Sequence, residues 1–281
     1  MSRVNLFLIG VNKAGTSWLY YLLAHHPDVF MAEAKELYFF GDEGKADEGP
    51  SSLADYHSHF PFTRDLQYYG DATVMYYRSA DTAEAIQRYN ADAQVLAIVR
   101  DPIQRLRSQF QYHKQIGLLD EGTTLGEALD GRDPQLLRDS HYERTLPAYE
   151  ERFGPDQFKL VSLEAGRDHP DRLWQDLLTF LDLRSAPRPS EDDRPENPTG
   201  SAAFRWVYRH TVRPLRTHFP GAYRHMLEST WARRAKLGLL RLLGTANKTS
   251  IPTALQHKLE DEFAPTYAYL QDRGFSHYGD G

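Results

Sequence analysis

Short apolar runs stand out along the chain. Asn5-Leu6-Phe7-Leu8-Ile9-Gly10 and Gln94-Val95-Leu96-Ala97-Ile98-Val99 are apolar on both faces, and Phe158 to Leu163 is a third candidate of the same kind. A strand without alternation is buried on both faces, as in a parallel sheet. Segments of helical periodicity lie between and after these runs: Ser17 to His25, stopped near Pro27, then Asp81 to Tyr89, Tyr142 to Phe153, Leu173 to Leu181 and a last helix from about Pro252 to Arg273. Pro102 suits a first helical turn with Asp101 as its cap. Strands alternating with helices predict βαβ units, hence an α/β fold with a parallel sheet flanked by helices. Gly41 to Ser52 is polar and glycine-rich and reads as a mobile loop, and Arg184 to Gly200 reads as a long connection. The expectation is one domain over residues 1–281 with a helical C-terminal lid region, its lid subregion at 201–250.

Composition narrows the classes. With 41% hydrophobic and 26% charged residues in 281, the chain has an ordinary globular make-up. A net charge of -6 argues against a generic nucleic-acid binder, so no nucleic-acid partner is expected. The absence of cysteine excludes a disulfide framework, a thiolate zinc site and a cysteine nucleophile. Val4 to Ile9 runs straight into a glycine-rich loop and reads as a strand, not a signal peptide. No stretch is apolar enough to span a membrane. These features together predict a cytoplasmic protein. No metal-ligand motif occurs, so no catalytic metal is expected. Between Phe204 and Lys248 many arginines face a single acid, Glu228, with aromatics interleaved. A cationic lid is favoured there over solvated packing helices, and a membrane-surface contact comes third. Oligomeric state is left open.

Two segments carry anion chemistry. After the first strand comes Gly10-Val11-Asn12-Lys13-Ala14-Gly15-Thr16-Ser17-Trp18. A glycine turn from strand into helix aims backbone N–H groups and a helix N-terminus at one spot. The glycine spacing is P-loop-like, but a P-loop carries Lys and then Ser or Thr directly after the second Gly. Here Thr16 follows Gly15, and the lysine is Lys13, inside the loop. The plainer alternative is a glycine turn with an exposed lysine. The second segment is Arg100-Asp101-Pro102 with Arg105, Arg107 and Ser108. Arg100 ends a parallel strand, at the edge where α/β sheets bind ligands. Ser108 lies two helical turns on. Arg105 and Arg107 point to different sides of a helix, so at least one is an ordinary surface or ion-paired arginine. For Arg100 itself the plainer alternative is an ion pair with a neighbouring carboxylate. Together the segments suit a ligand with phosphates at both ends.

These residues resemble the family of sulfotransferases that use 3′-phosphoadenosine-5′-phosphosulfate (PAPS). The similarity is greatest to heparan sulfate O- and N-sulfotransferase domains and their bacterial relatives. It is carried by the loop from Asn12 to Leu19, by Arg100-Asp101-Pro102 with Arg105 and Ser108, and by His26-Pro27-Asp28 followed by Lys35-Glu36-Leu37-Tyr38-Phe39-Phe40. It continues weakly through Gly70-Asp71-Ala72-Thr73, Ser140-His141-Tyr142 and the C-terminal Phe263-Ala264-Pro265. The resemblance implies a P-loop-like fold. It also implies that Lys13, Ala14, Gly15, Thr16, Ser17 and Trp18 hold the 5′-phosphosulfate, and that Arg100 and Ser108 hold the 3′-phosphate with Tyr142 nearby. Glu36 would be the general base and Lys13 the group that meets charge on the leaving oxygen. The co-substrate would be PAPS, the product 3′,5′-bisphosphoadenosine, and the acceptor a hydroxyl or amine of a glycan, small molecule or lipid. His113 reads as structural. Two departures matter. Many relatives have Glu-Lys-Thr-Pro where this chain has Asp71-Ala72-Thr73-Val74, so a substrate-side lysine is missing. The cysteine-flanked basic loop of the eukaryotic glycan enzymes is also missing, with Asn197 to Ser201 and Arg205 as a substitute. The competing readings are a P-loop-like nucleotide or sugar kinase and a non-catalytic module for PAPS or an anionic glycan.

Overall fold

The computed structural model describes residues 3–41, 49–190 and 251–275. Among these residues, five parallel strands form one sheet in the order β2-β3-β1-β4-β5: β1 Leu6–Gly10, β2 Val29–Met31, β3 Tyr68–Asp71, β4 Gln94–Val99 and β5 Phe158–Ser162. Between them run helices α1 Thr16–Ala24, α2 Leu53–Ser58, α3 Ala80–Tyr89 and α4 Pro102–Ile116. The parallel α/β expectation holds, with β1, β4 and β5 within a residue of the apolar runs. Alternate side chains of each central strand feed two different cores. Phe7, Ile9, Val95, Ala97 and Val99 join Ala83 and Ile86 of α3. Leu6, Leu8, Leu96 and Ile98 join Trp18 and Leu22 of α1 and Trp174 and Leu177 of the helix Pro170–Phe180. This two-sided burial is why the strands read as continuous apolar runs.

The chain forms two compact units. The first comprises Met1–Arg105, Asp139–Arg194 and Glu260–Gly281 and holds the whole sheet. The second comprises Leu106–Arg138 and Pro195–Leu259. Within it a capping box joins Thr124 to Glu127, and the buried His113 pairs through Nδ1 with the Asp133 carboxylate. The expected last helix is two, Thr253–Glu262 and Ala264–Gln271, separated at Phe263, with a proline in the first turn of the second. Residues 42–48 of the expected loop, residues 191–200 of the connection and the lid subregion 201–250 lie outside the described residues, as do the substitutes Asn197 to Ser201 and Arg205.

Candidate active site

In a parallel sheet every strand delivers its carboxyl end to one edge. Here β1 sits between β3 and β4, so the chain leaves it toward one side for β2 and β3 and returns on the other for β4. That reversal makes a crevice at the carboxyl end of β1. The loop from Gly10 to Gly15 begins there. Val11 N–H donates to the Ile98 carbonyl at 2.8 Å, tying the loop to β4. Lys13 and Gly15 take positive φ, 67° and 101°, which turns the chain into α1. Helix α1 has no side-chain N-cap and no acid in its first turn. Its first-turn N–H groups and partial positive charge therefore face a site that favours an anion. By contrast α2, α3 and the helix Leu163–Asp168 are capped by Ser52, Ser79 and Ser162. Thr16 is buried and Ser17 exposed. Trp18 plays a different part from its neighbours: its ring is fully buried and its backbone N–H donates to the Gly15 carbonyl at 2.9 Å.

Glu36 follows β2 in a loop without regular structure. Its Oε2 accepts the Val74 N–H, just beyond β3. Burial pushes the Glu36 carboxyl up from the ordinary 4.5 to about 7, against the pull of neighbouring Lys35 and the Val74 bond, with the Asp71 charge adding a smaller push. Val74 is also the link to the anion loop. A Cβ on Gly10 would lie 2.9 Å from the Val74 carbonyl oxygen and 2.6 Å from Tyr77 Cδ1, and Gly10 has φ 149°. Only glycine permits that approach, so Val74 joins the two loops indirectly: its N–H holds Glu36 and its carbonyl packs on Gly10.

On the other flank Arg100 follows β4. It is half-buried, with Nε 3.8 Å from Glu164 Oε1. Tyr142, fully buried, donates its hydroxyl to the Arg100 carbonyl at 2.9 Å. Asp101 caps α4 as the sequence predicts, accepting Gln104 N–H at 2.7 Å, and takes the Tyr267 hydroxyl at 2.9 Å. Arg105 is the ion-paired arginine of its pair: it is fully buried, donates from Nε to Ser140 Oγ at 2.6 Å and lies 3.9 Å from Asp139. Ser108 is half-buried on α4 and belongs to the second unit. His113 has both ring nitrogens engaged, Nδ1 by Asp133 and Nε2 by Gln109 at 3.3 Å, which suits a structural role. The first unit thus brings Lys13, Glu36, Arg100 and Tyr142 to one sheet edge. The sequence reading missed the buried hydroxyl network around Asp71, described below. Its only sequence signal was the weak Gly70-Asp71-Ala72-Thr73 similarity. Among the described residues no cluster of metal-ligating side chains occurs.

Comparison with known proteins decides the family. The sulfotransferase domain model matches residues 3–196, more than half of the chain. The chain belongs to the sulfotransferase domain family. A membrane-associated sulfotransferase, kil1, of Dictyostelium discoideum is 27% identical over 111 residues, covering 40% of this chain and 23% of that protein. The human heparan sulfate glucosamine 3-O-sulfotransferase 5 is 30% identical over 103 residues, covering 37% and 29%. The match therefore spans less than a third of either relative. A crystal structure of a sulfotransferase from Alicyclobacillus acidocaldarius shares the fold, with TM-score 0.61 and 22% identity over 83% of this chain and all of that one. Family membership sets the kinase alternative aside. The cytoplasmic expectation is corrected: a curated relative of this sulfotransferase-family chain is membrane-associated. The expectation rested on missing cysteines and missing apolar spans, but a protein can associate with a membrane through its surface without either. No helix among the described residues is long and apolar enough to cross a membrane.

Proposed function

We propose that the protein transfers the sulfuryl group of PAPS to a hydroxyl or amine of a glycan or small-molecule acceptor, with Glu36 as general base. The observation that carries this reading is Glu36 itself. It is a carboxylate with its pKa raised to about 7 and one oxygen fixed by the N–H of Val74, the residue whose carbonyl packs on Gly10 of the anion loop. With Oε2 occupied, Oε1 is the oxygen that takes the acceptor proton. The acceptor oxygen or nitrogen forms a bond to sulfur as the bond from sulfur to the bridging oxygen breaks, and that electron pair leaves with the 5′-phosphate of the bisphosphate product. Positioning and charge stabilisation dominate such a transfer. Lys13 meets the charge growing on the bridging oxygen. The uncapped start of α1, through the N–H groups of Gly15, Thr16 and Ser17, holds the 5′-phosphate. Arg100 holds the 3′-phosphate, and Tyr142 fixes the backbone of Arg100. Ala72, at the position of the relatives' lysine, favours an acceptor other than a heparan-like chain.

Calorimetry in EDTA tests the donor assignment. The protein should bind 3′,5′-bisphosphoadenosine much more tightly than 5′-AMP without magnesium, and Arg100→Ala should lose about 1.5–3 kcal/mol of that affinity. Equal affinities for the two nucleotides would remove Arg100 from the site. The acceptor is found by a ³⁵S-PAPS transfer screen against a metabolite extract, with mass analysis of the labelled product.

A further inference from the structure

The loop that carries Glu36 has no regular hydrogen bonding of its own, yet four successive peptide N–H groups in it are satisfied. Leu37 and Tyr38 donate to Thr73 Oγ1 at 3.1 and 3.4 Å. Phe39 and Phe40 donate to the Tyr76 hydroxyl at 2.9 and 3.3 Å. Both acceptor oxygens in turn donate to one carboxylate. Thr73 Oγ1 gives its proton to Asp71 Oδ1 at 2.7 Å, and the Tyr76 and Tyr56 hydroxyls give theirs to Asp71 Oδ2, each at 3.0 Å. Asp71, Thr73 and Tyr56 are wholly buried and Tyr76 is 2% exposed.

The chemistry of these groups fixes the direction of every bond. A hydroxyl has one proton and two lone pairs, and an ionised carboxylate only accepts. Asp71 therefore takes all three hydroxyl protons, and the lone pairs of Thr73 and Tyr76 are left to face the peptide N–H groups. We propose that Asp71 is a positioning residue for the transfer reaction: through Thr73 and Tyr76 it holds residues 37–40 and so fixes the place and direction of the Glu36 carboxylate. The inference rests on the reading of Glu36 as base. Asp71 also acts on that base by charge. The ionisable groups around the pair are Lys35, beside Glu36, and Tyr56 of α2, Tyr76 after β3 and Tyr89 of α3, which face Asp71. Among these only Lys35 opposes the upward push of Asp71 on Glu36.

The exchange and titration readouts need no acceptor, and only the turnover arm uses the one found by screening. Hydrogen exchange of a peptide spanning residues 37–40 and a carboxyl ¹³C titration of Glu36 are compared in the full chain and in variants. Asp71→Asn must turn an N–H group toward a hydroxyl that has no lone pair to spare. It should speed exchange at residues 37–40 by about tenfold and move the Glu36 midpoint down. Thr73→Val should release only Leu37 and Tyr38, Tyr76→Phe should release only Phe39 and Phe40, and Thr73→Ser should match the native chain. Native exchange at 37–40 in a cooperatively folded Asp71→Asn overturns the proposal. If that variant does not fold, native exchange in both Thr73→Val and Tyr76→Phe overturns it instead. Loss of turnover in Glu36→Gln alongside native exchange in Asp71→Asn defeats the positioning inference alone. Native turnover in Glu36→Gln defeats the base assignment, whatever the exchange pattern.

Discussion

At the scale of single residues, the cost of holding Glu36 ready is measurable. Its carboxyl titrates near 4.5 in the unfolded chain and near 7 in the fold, because burial disfavours the charged form. A base must be ionised, so the proposed role of Glu36 predicts a transfer rate that rises with pH through about 7. Stability runs the other way. Between those two values the native state holds a proton that the unfolded chain has released, so stability falls as pH rises through the window. Asp71, raised by burial to about 6, contributes in the same sense over the lower part of it. Glu36→Gln should be neutral near pH 4 and more stable than the native chain near pH 8, by up to roughly 3 kcal/mol, less what solvent screens at its exposed edge. Urea unfolding at the two pH values checks this, and an equal effect at both would mean that Glu36 is not desolvated.

At the scale of elements, the junction of β1, its loop and α1 is where packing meets the proposed nucleotide site. Gly10→Ala places a methyl group 2.6 Å from Tyr77 Cδ1 and 2.9 Å from the Val74 carbonyl, at a φ of 149°. Something must shift at such distances, so the variant should lose about 1–3 kcal/mol or more and bind 3′,5′-bisphosphoadenosine more weakly. Gly122 meets nothing within 4 Å of an added Cβ, so Gly122→Ala should stay within about 0.5 kcal/mol. Denaturant unfolding of the two variants separates a built contact from a general intolerance of alanine.

At the scale of the molecule, what the sequence made legible follows from where burial is two-sided. Strands β1 and β4 are apolar on both faces and read directly, as did α1 and α3, while Lys13, Glu36 and Arg100 stood out as candidates through their motifs alone. Strand β3 is Tyr-Tyr-Gly-Asp and β2 is three residues long, so neither carries a periodicity to read. Asp71 looks like a surface acid in sequence. It is buried only because Tyr56, fifteen positions upstream, joins Thr73 and Tyr76 around it, and no local pattern encodes that meeting. The two-unit division was equally silent, since α4 runs through the boundary as one helix.

The most direct test of the account is Glu36→Gln compared with Lys13→Ala, each measured for affinity to 3′,5′-bisphosphoadenosine and for single-turnover transfer from ³⁵S-PAPS to the acceptor found by screening. A base acts on the acceptor and not on the nucleotide. Glu36→Gln should keep native nucleotide affinity and lose about 10²–10⁴-fold in rate, whereas Lys13→Ala should lose affinity and rate together. A native rate in Glu36→Gln, with His113→Ala inactive, would contradict the account and move the base to the histidine.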